Sequence, residues 1–403
     1  MKLAHIADAH LGIRQYYRQT SAGINQREAD VAQAFRVTID DVIAARPNVV
    51  VIAGDLFHSV RPSNAAIVFA FRQLQRLREA LPSAPVILIA GNHDTPRSVE
   101  TGSILRLFEE LGVDVAADEA RRLVYPELDL MVLAVPHQAL VSAERPSLRP
   151  EGNERHRVLL LHGEIEGVYP GDRSGADYGG MQIGARELRS AEWTYVALGD
   201  YHVQYRVDER TWYAGALEYV SPNFWGDRRL ERELGLGKEP TRTNPGAGGK
   251  GWLLVDLETG KVDRRPIAWA RAVLDLDPIE AAGLSAPALD AQIAERIDKI
   301  PGGIEGKIVR LKVYNVPRHI ARELNHAAIR AYKAAALHFR FDVRRPLLQR
   351  TVGIGAPGRR QTLPELVRSY LEKRSLPPHL DREELVRLGT ELIEVAEPDM
   401  APA

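Results

Sequence analysis

Six short runs of aliphatic and β-branched residues constrain this chain more than anything else in it: LAHIA at 3–7, VVVIA at 49–53, VILIA at 86–90, LMVLAV at 130–135, RVLLL at 157–161 and TYVAL at 194–198. Several are apolar throughout, which is the pattern of strands covered on both faces. Helical patterns at 28–45, 64–81 and 100–112 fall among the first of them, so the first half predicts an α/β sheet fold.

Five of the six runs end in residues that bind metals or move protons. Asp8 and His10 follow the first, Asp55 and His58 the second, and Asn92, His93 and Asp94 the third; His162 follows the fifth, and Asp200 and His202 the sixth. Ligands in open α/β sheets gather at the carboxyl ends of strands, so these loops are expected to converge on one crevice. Cysteine is absent, so any ion must be held by oxygen or imidazole. Two ions roughly 3.5–4 Å apart can activate water for in-line attack at phosphorus while neutralising the phosphate oxygens. Asp55, in the tight AGD turn, is the natural carboxylate to bridge them, with Gly54 and Gly91 letting the backbone turn sharply beneath. Asp94 is expected to orient and charge the His93 imidazole for proton donation to a leaving oxygen. Each element alone has a plainer reading, since Asp-x-His and Gly-Asp pairs are common turns and a strand-end histidine is often a satisfied core residue. Their joint appearance, each after a strand, is what argues for a site.

The rest of the chain reads as smaller units. Gly/Pro-rich loops are expected at 166–180 and 233–251, and GWLLVDLETGK at 251–261 reads as a hairpin closing the first domain. A second unit follows, with a helix near 286–299, a strand at 307–313 and a helix near 317–336. After GIGAPGRR at 353–360 come two amphipathic helices, opened by Thr362 with Glu365 and by Asp381 with Glu384 in capping-box positions. The predicted division is 1–269, 270–350 and 351–403. Net charge is only −1, but 13 Lys or Arg against Glu323 and Asp342 lie between Lys307 and Arg360, while residues 361–403 hold 9 acids against 5 bases. The basic stretch suits a polyanion or a solvated helix face equally. No apolar stretch approaches the ~18 residues of a membrane helix and MKLAHIADAH lacks a signal pattern, so no membrane association and a cytoplasmic protein are expected.

The set Asp8-Ala-His10, Gly54-Asp55-Leu-Phe-His58, Gly91-Asn92-His93-Asp94, His162 in LLLHGE and Gly199-Asp200-Tyr-His202 resembles the calcineurin-like metallophosphoesterase superfamily. HIADAHLG, AGDLFH, ALGDYHVQ and YAGALEYVSPNFWGD resemble its SbcD nuclease subunits in particular, strongly over about residues 1–270. The resemblance implies an α/β sandwich of two sheets flanked by helices, a small α+β DNA-capping domain and a helical partner-binding tail. It implies one ion on Asp8, His10, Asp55 and His202, and another on Asp55, Asn92, His162 and residue 200. It also implies His93 as transition-state donor and His58 on the substrate phosphate. Two Mn²⁺ are implied, with Mg²⁺ compatible. The departure is Asp200 where the family has His, a harder ligand that adds negative charge beside the phosphate.

Further implied are a Mn²⁺-dependent 3′-5′ exonuclease and single-strand endonuclease acting in double-strand-break repair, a coiled-coil ABC ATPase partner of the SbcC type, and a homodimer. Arg14, Tyr17 and Arg18, beside Tyr16, and Arg344 with Arg345 are candidate DNA contacts. The same ligands also suit a small-molecule phosphodiesterase or phosphatase, and the change at 200 suits a weakened DNA-end scaffold.

Overall fold

A computed structural model describes residues 1–96, 102–168, 181–236, 249–267, 271–346, 363–374 and 381–396. Most of the two expected Gly/Pro-rich loops, all of GIGAPGRR, and Thr362 of the first capping box lie outside those residues. The chain divides into two compact units, Met1–Pro346 and Leu347–Ala403.

In the first unit the chain opens β1 (Lys2–Ile6), α1 (Gln26–Ala45), β2 (Val49–Ala53), α2 (Asn64–Ala80), β3 (Val86–Ile89) and β4 (Asp114–Ala116). Strands β1 to β4 are parallel neighbours in chain order, each joined by a crossover as parallel pairing requires. Asn25 caps α1 by accepting from the backbone N–H of Arg27 and Glu28, and Ser63 caps α2 through Ala66. The chain returns much later as the hairpin β13 (Gly251–Asp256) and β14 (Val262–Pro266), where β13 lies antiparallel to β1 and gives the order β14-β13-β1-β2-β3-β4.

Between these come β5 (Arg121–Tyr125), β6 (Leu130–Val135), α3 (His137–Val141), β7 (His156–His162), the short pair β8 (Glu164–Ile165) and β9 (Gln182–Ile183), α4 (Ala185–Leu188), β10 (Tyr195–Gly199), β11 (Tyr205–Arg206), β12 (Thr211–Tyr213) and α5 (Phe224–Glu233). They build a second six-stranded sheet, β11-β12-β10-β7-β6-β5. Leu3, Val49, Val51, Ile87 and Ile89 of the first sheet meet Leu130, Val132, Val158, Leu160 and Ala197 of the second in one core. The alternate residues Ala4, Ile6, Val50, Ile52 and Leu88 pack instead on Phe35, Ile39, Leu74 and Leu77 of α1 and α2. Met131, Leu159, Leu161, Val196 and Leu198 do the same beneath Leu140, Leu188 and Trp193. The inner strands β1, β2, β3, β6, β7 and β10 are therefore dry on both faces, which is why they read as unbroken apolar runs.

The remainder of this unit is β15 (Val273–Glu280), α6 (Ala286–Asp298), β16 (Ile308–Tyr314), α7 (Arg318–Glu323), α8 (His326–Ala335) and β17 (His338–Val343). Its three strands are parallel, each reached through helices, and Leu289, Ile293, Val309, Leu311 and Phe339 form a core of their own. Tyr219, Phe224 and Trp225 bury against Val273, Ile308 and Leu337, joining this sheet to the sandwich.

Two expected helices differ. The one at 100–112 is a 3₁₀ run over Ile104–Leu111. The one at 317–336 is broken after Glu323: Leu324 is extended, and Asn325 both caps α8 through Ala328 and gives its own N–H to the Asp290 carboxylate. In the second unit, α9 (Leu363–Lys373) and α10 (Arg382–Ala396) pack closely where Gly389 faces Leu371. Asp381 caps α10 as expected, accepting from the N–H of Glu383 and Glu384. Tyr370, Leu388 and Leu392 are exposed. No helix among the described residues is long and apolar enough to cross a membrane.

Candidate metal centre

The loops that follow β1 and β2 stay hydrogen-bonded after the strands end, His10 N–H to Asp55 O at 2.9 Å and Leu11 N–H to Leu56 O at 2.9 Å. Four side chains of the crevice are carried on left-handed backbone: Asp8 (φ 49°), His10 (φ 49°), Asp55 (φ 50°) and Asp200 (φ 94°). Such conformations cost about 1–3 kcal/mol each and persist where the surroundings over-determine them. Gly54 has the turn conformation expected of it (φ 85°), but Gly91 does not; it is needed for closeness, because a Cβ there would lie 2.1 Å from Asp55 Oδ1.

Seven side chains from five strand ends converge. His162 Nε2 lies 2.9 Å from Asn92 Oδ1, 3.5 Å from Asp55 Oδ2 and 3.6 Å from Asp200 Oδ1. His10 Nε2 lies 3.6 Å from Asp55 Oδ2 and 3.1 Å from His202 Nε2. Asp8, His10 and His202 form one group with ligand atoms within 4.8 Å of one another, and Asp8, Asp55 and His162 form another. Asp8, His10, Asp55, His162, Asp200 and His202 are all buried.

The decisive observation is what these carboxylates lack. Asp8 Oδ1 accepts the Asp200 N–H and Asp55 Oδ1 accepts the His93 N–H, but Asp8 Oδ2, Asp55 Oδ2 and both oxygens of Asp200 are buried without a hydrogen-bond partner. Three buried carboxylates facing imidazoles at 3.5–3.8 Å and short of hydrogen bonds cost several kcal/mol to desolvate, and the cluster fits a pair of hard cations. The electrostatics carry the same mark. Burial holds the Asp8 pKa up at about 7 despite the His162 and His202 charges. Burial would raise Asp55 too, yet His162, with His10 and His93, holds it well below the usual range. The same carboxylates, Asp55 first and then Asp200, overcome burial to raise His162 well above its ordinary value.

At the rim, His10, His58 and His93 form a third group. His93 Nδ1 donates to the His58 carbonyl at 2.8 Å, which fixes the ring. Asp94 therefore does not orient it as expected. Its oxygens accept from the N–H of Leu56 and Phe57 at 3.0 Å each and from Gly91 at 3.3 Å, so this carboxylate ties two metal loops together. Burial and the Asp55 charge raise its pKa.

Residues 1–206, half of the chain, match the calcineurin-like phosphoesterase family. The chain belongs to that family. Proteins similar to it include the DNA double-strand break repair protein Mre11 of Sulfurisphaera tokodaii, 32% identical over 50% of this chain and 49% of the relative. The protein of the same name from Methanocaldococcus jannaschii is 26% identical over 65% of this chain and 64% of the relative. The chain thus spans between about half and two thirds of the length of these relatives.

The candidate DNA contacts differ in their surroundings. Tyr17 is fully exposed, Tyr16 stacks on His338 at 4.2 Å, Arg14 pairs with Glu28 at 2.8 Å, and Arg18 donates to the carbonyls of Ala334 and Ala335 at the end of α8. Arg345 is exposed. Arg344 pairs with Asp342 and lines a groove of about 370 Å³ with Arg229, Arg232, Arg310 and Lys312, which the sequence reading did not single out. It also passed over His137, which follows β6 as the others follow their strands. Burial and the His162 charge depress its pKa, while Asp200 and Asp55 oppose them.

Proposed function

We propose that this chain is the nuclease subunit of a DNA double-strand-break repair complex, a Mn²⁺-dependent phosphodiesterase cutting DNA as a 3′-5′ exonuclease and single-strand endonuclease. The observation that carries the metal reading is the set of partnerless buried oxygens on Asp8, Asp55 and Asp200 opposite His10, His162 and His202. The names of the similar proteins support DNA as the substrate.

In this reading Asp8, His10, Asp55 and His202 hold one ion and Asp55, Asn92, His162 and Asp200 the other. Bound Mn²⁺, or Mg²⁺, would neutralise the phosphate and activate the attacking water. His93, its Nδ1–H held by the His58 carbonyl, acts as the imidazolium, whose Nε2 proton goes to the leaving 3′ oxygen. His58 touches the phosphate from the rim. The unpartnered oxygens of Asp200 support a ligand there in place of the usual histidine, and speak against a scaffold that has lost its second ion.

Residues 1–269 form the nuclease domain, 270–350 the DNA-capping domain and 351–403 the tail that docks on a coiled-coil ABC ATPase of the SbcC type, in a cytoplasmic homodimer. The exposed Tyr370, Leu388 and Leu392 support docking by the tail. The test is substrate choice: with Mn²⁺ the purified chain is expected to degrade labelled DNA and to be inert with EDTA. Rapid turnover of p-nitrophenyl phosphate esters with DNA untouched would make it a small-molecule phosphodiesterase instead.

A further inference from the structure

His202 reaches the crevice with one ring nitrogen and faces the protein interior with the other. Its Nδ1 lies 2.7 Å from Ser221 Oγ, and Ser221 Oγ donates to Asp227 Oδ2 at 2.9 Å. Lys250 Nζ donates to that same Asp227 oxygen at 3.1 Å and to the His202 backbone carbonyl at 2.7 Å, and lies 3.2 Å from Glu231 Oε1. Glu231 Oε2 in turn accepts from Tyr219 O–H at 2.6 Å, and the Lys250 ammonium sits 4.6 Å from the centre of the Tyr219 ring. Ser221, Asp227, Glu231 and Lys250 are each at most 1% exposed.

The direction of these bonds is determined by their donors. Asp227, a carboxylate beside the Lys250 ammonium, can only accept, so the single Ser221 hydroxyl proton points to it. Ser221 Oγ is then left to accept, and the donor facing it is His202 Nδ1–H. A neutral imidazole that donates from Nδ1 presents its lone pair at Nε2, the atom 3.1 Å from His10 Nε2 in the crevice. Lys250 Nζ, between the Asp227 and Glu231 carboxylates and the His202 carbonyl, anchors the chain of bonds. A lysine, an aspartate and a glutamate sealed in a core need a reason to be retained, since apolar residues of the same volume are often no less stable.

We infer that Ser221, Asp227 and Lys250 are positioning residues that set the tautomer and angle of His202, so that its Nε2 is ready to bind a metal ion before any ion arrives. This rests on the reading of His202 as a ligand. Partners of this kind typically contribute about 10–100-fold to metal affinity.

The test is calorimetric titration of the full chain with Mn²⁺ alone, beside melting of the metal-free protein. Wild type is expected to bind two ions. Ser221→Ala, folded, is expected to keep one site and weaken the other by about 10–100-fold, with cleavage returning at excess Mn²⁺. Ser221→Thr, which keeps the hydroxyl, should restore the affinity, which a purely structural role for Ser221 does not predict. Asp227→Asn, which keeps shape and loses charge, should weaken the same site and carries the test should Ser221→Ala not fold. Unchanged Mn²⁺ affinity in a folded Ser221→Ala or Asp227→Asn protein overturns the inference. Wild type binding no ion overturns the metal reading itself, a separate failure visible without any variant.

Discussion

At the strand ends three buried aspartates face imidazoles at 3.5–3.8 Å and keep oxygens without a hydrogen bond, whereas Arg14, Arg18, Arg310 and Arg344 have found close acceptors within their own chain. Arg310 pairs bidentately with Asp275 and stacks on Trp225, and Arg18 closes the end of α8. The contrast separates two uses of charge. A surface cation that finds a carboxylate gains at most about 1 kcal/mol and says little about function. Three sealed carboxylates left short of hydrogen bonds are costly to keep, and so mark where something other than protein belongs.

The sharpest way to break this contrast is at its rim. His93→Ala is expected to lower kcat on DNA by about 10²–10⁴-fold while Mn²⁺ content, by elemental analysis, and DNA affinity stay as in wild type. A variant that cuts at the wild-type rate would remove His93 from the chemistry.

A smaller effect tests the cluster itself through pH. Asp8, held at about 7, and His162, raised above its ordinary value, both keep protons in the metal-free fold that the unfolded chain has lost. Their shared sign means that the metal-free protein loses stability as pH rises, through Asp8 between about 4 and 7 and through His162 above about 6.5. Ion binding must expel those protons, so Mn²⁺ affinity is expected to climb about tenfold per pH unit for each proton released between pH 6 and 8. Calorimetry in buffers of different ionisation enthalpy counts them; flat affinity with no proton release contradicts the assignment.

The smallest effect is expected on the paired side. Arg18→Ala should leave the salt dependence of DNA binding, read by fluorescence anisotropy, unchanged, because its guanidinium serves Ala334 and Ala335. A slope reduced by about one would return Arg18 to the DNA backbone.

The same contrast explains what the sequence disclosed. The convergence of Asp8, His10, Asp55, Asn92, His162, Asp200 and His202 was legible because β1, β2, β3, β7 and β10 are dry on both faces, which gives unbroken apolar runs whose ends announce themselves. Strands of mixed polarity such as β5, RRLVY, and β17, HFRFDV, carry no such signal and were missed, as was α5. The role of Asp94 was misread because sequence adjacency to His93 suggested a partner, while the fold turns that carboxylate onto the N–H groups of a loop nearly forty residues earlier. Ser221, Asp227 and Lys250 were invisible for a related reason: their relation to His202 exists only across the turn between β12 and α5 and the return of β13.

The most direct test of the central claim is anomalous diffraction at the manganese edge from crystals of the chain soaked in Mn²⁺. Two peaks are predicted, sharing Asp55, one beside Asp8, His10 and His202 and the other beside Asn92, His162 and Asp200. No peak within coordination distance of Asp55, with manganese bound elsewhere, would contradict the account.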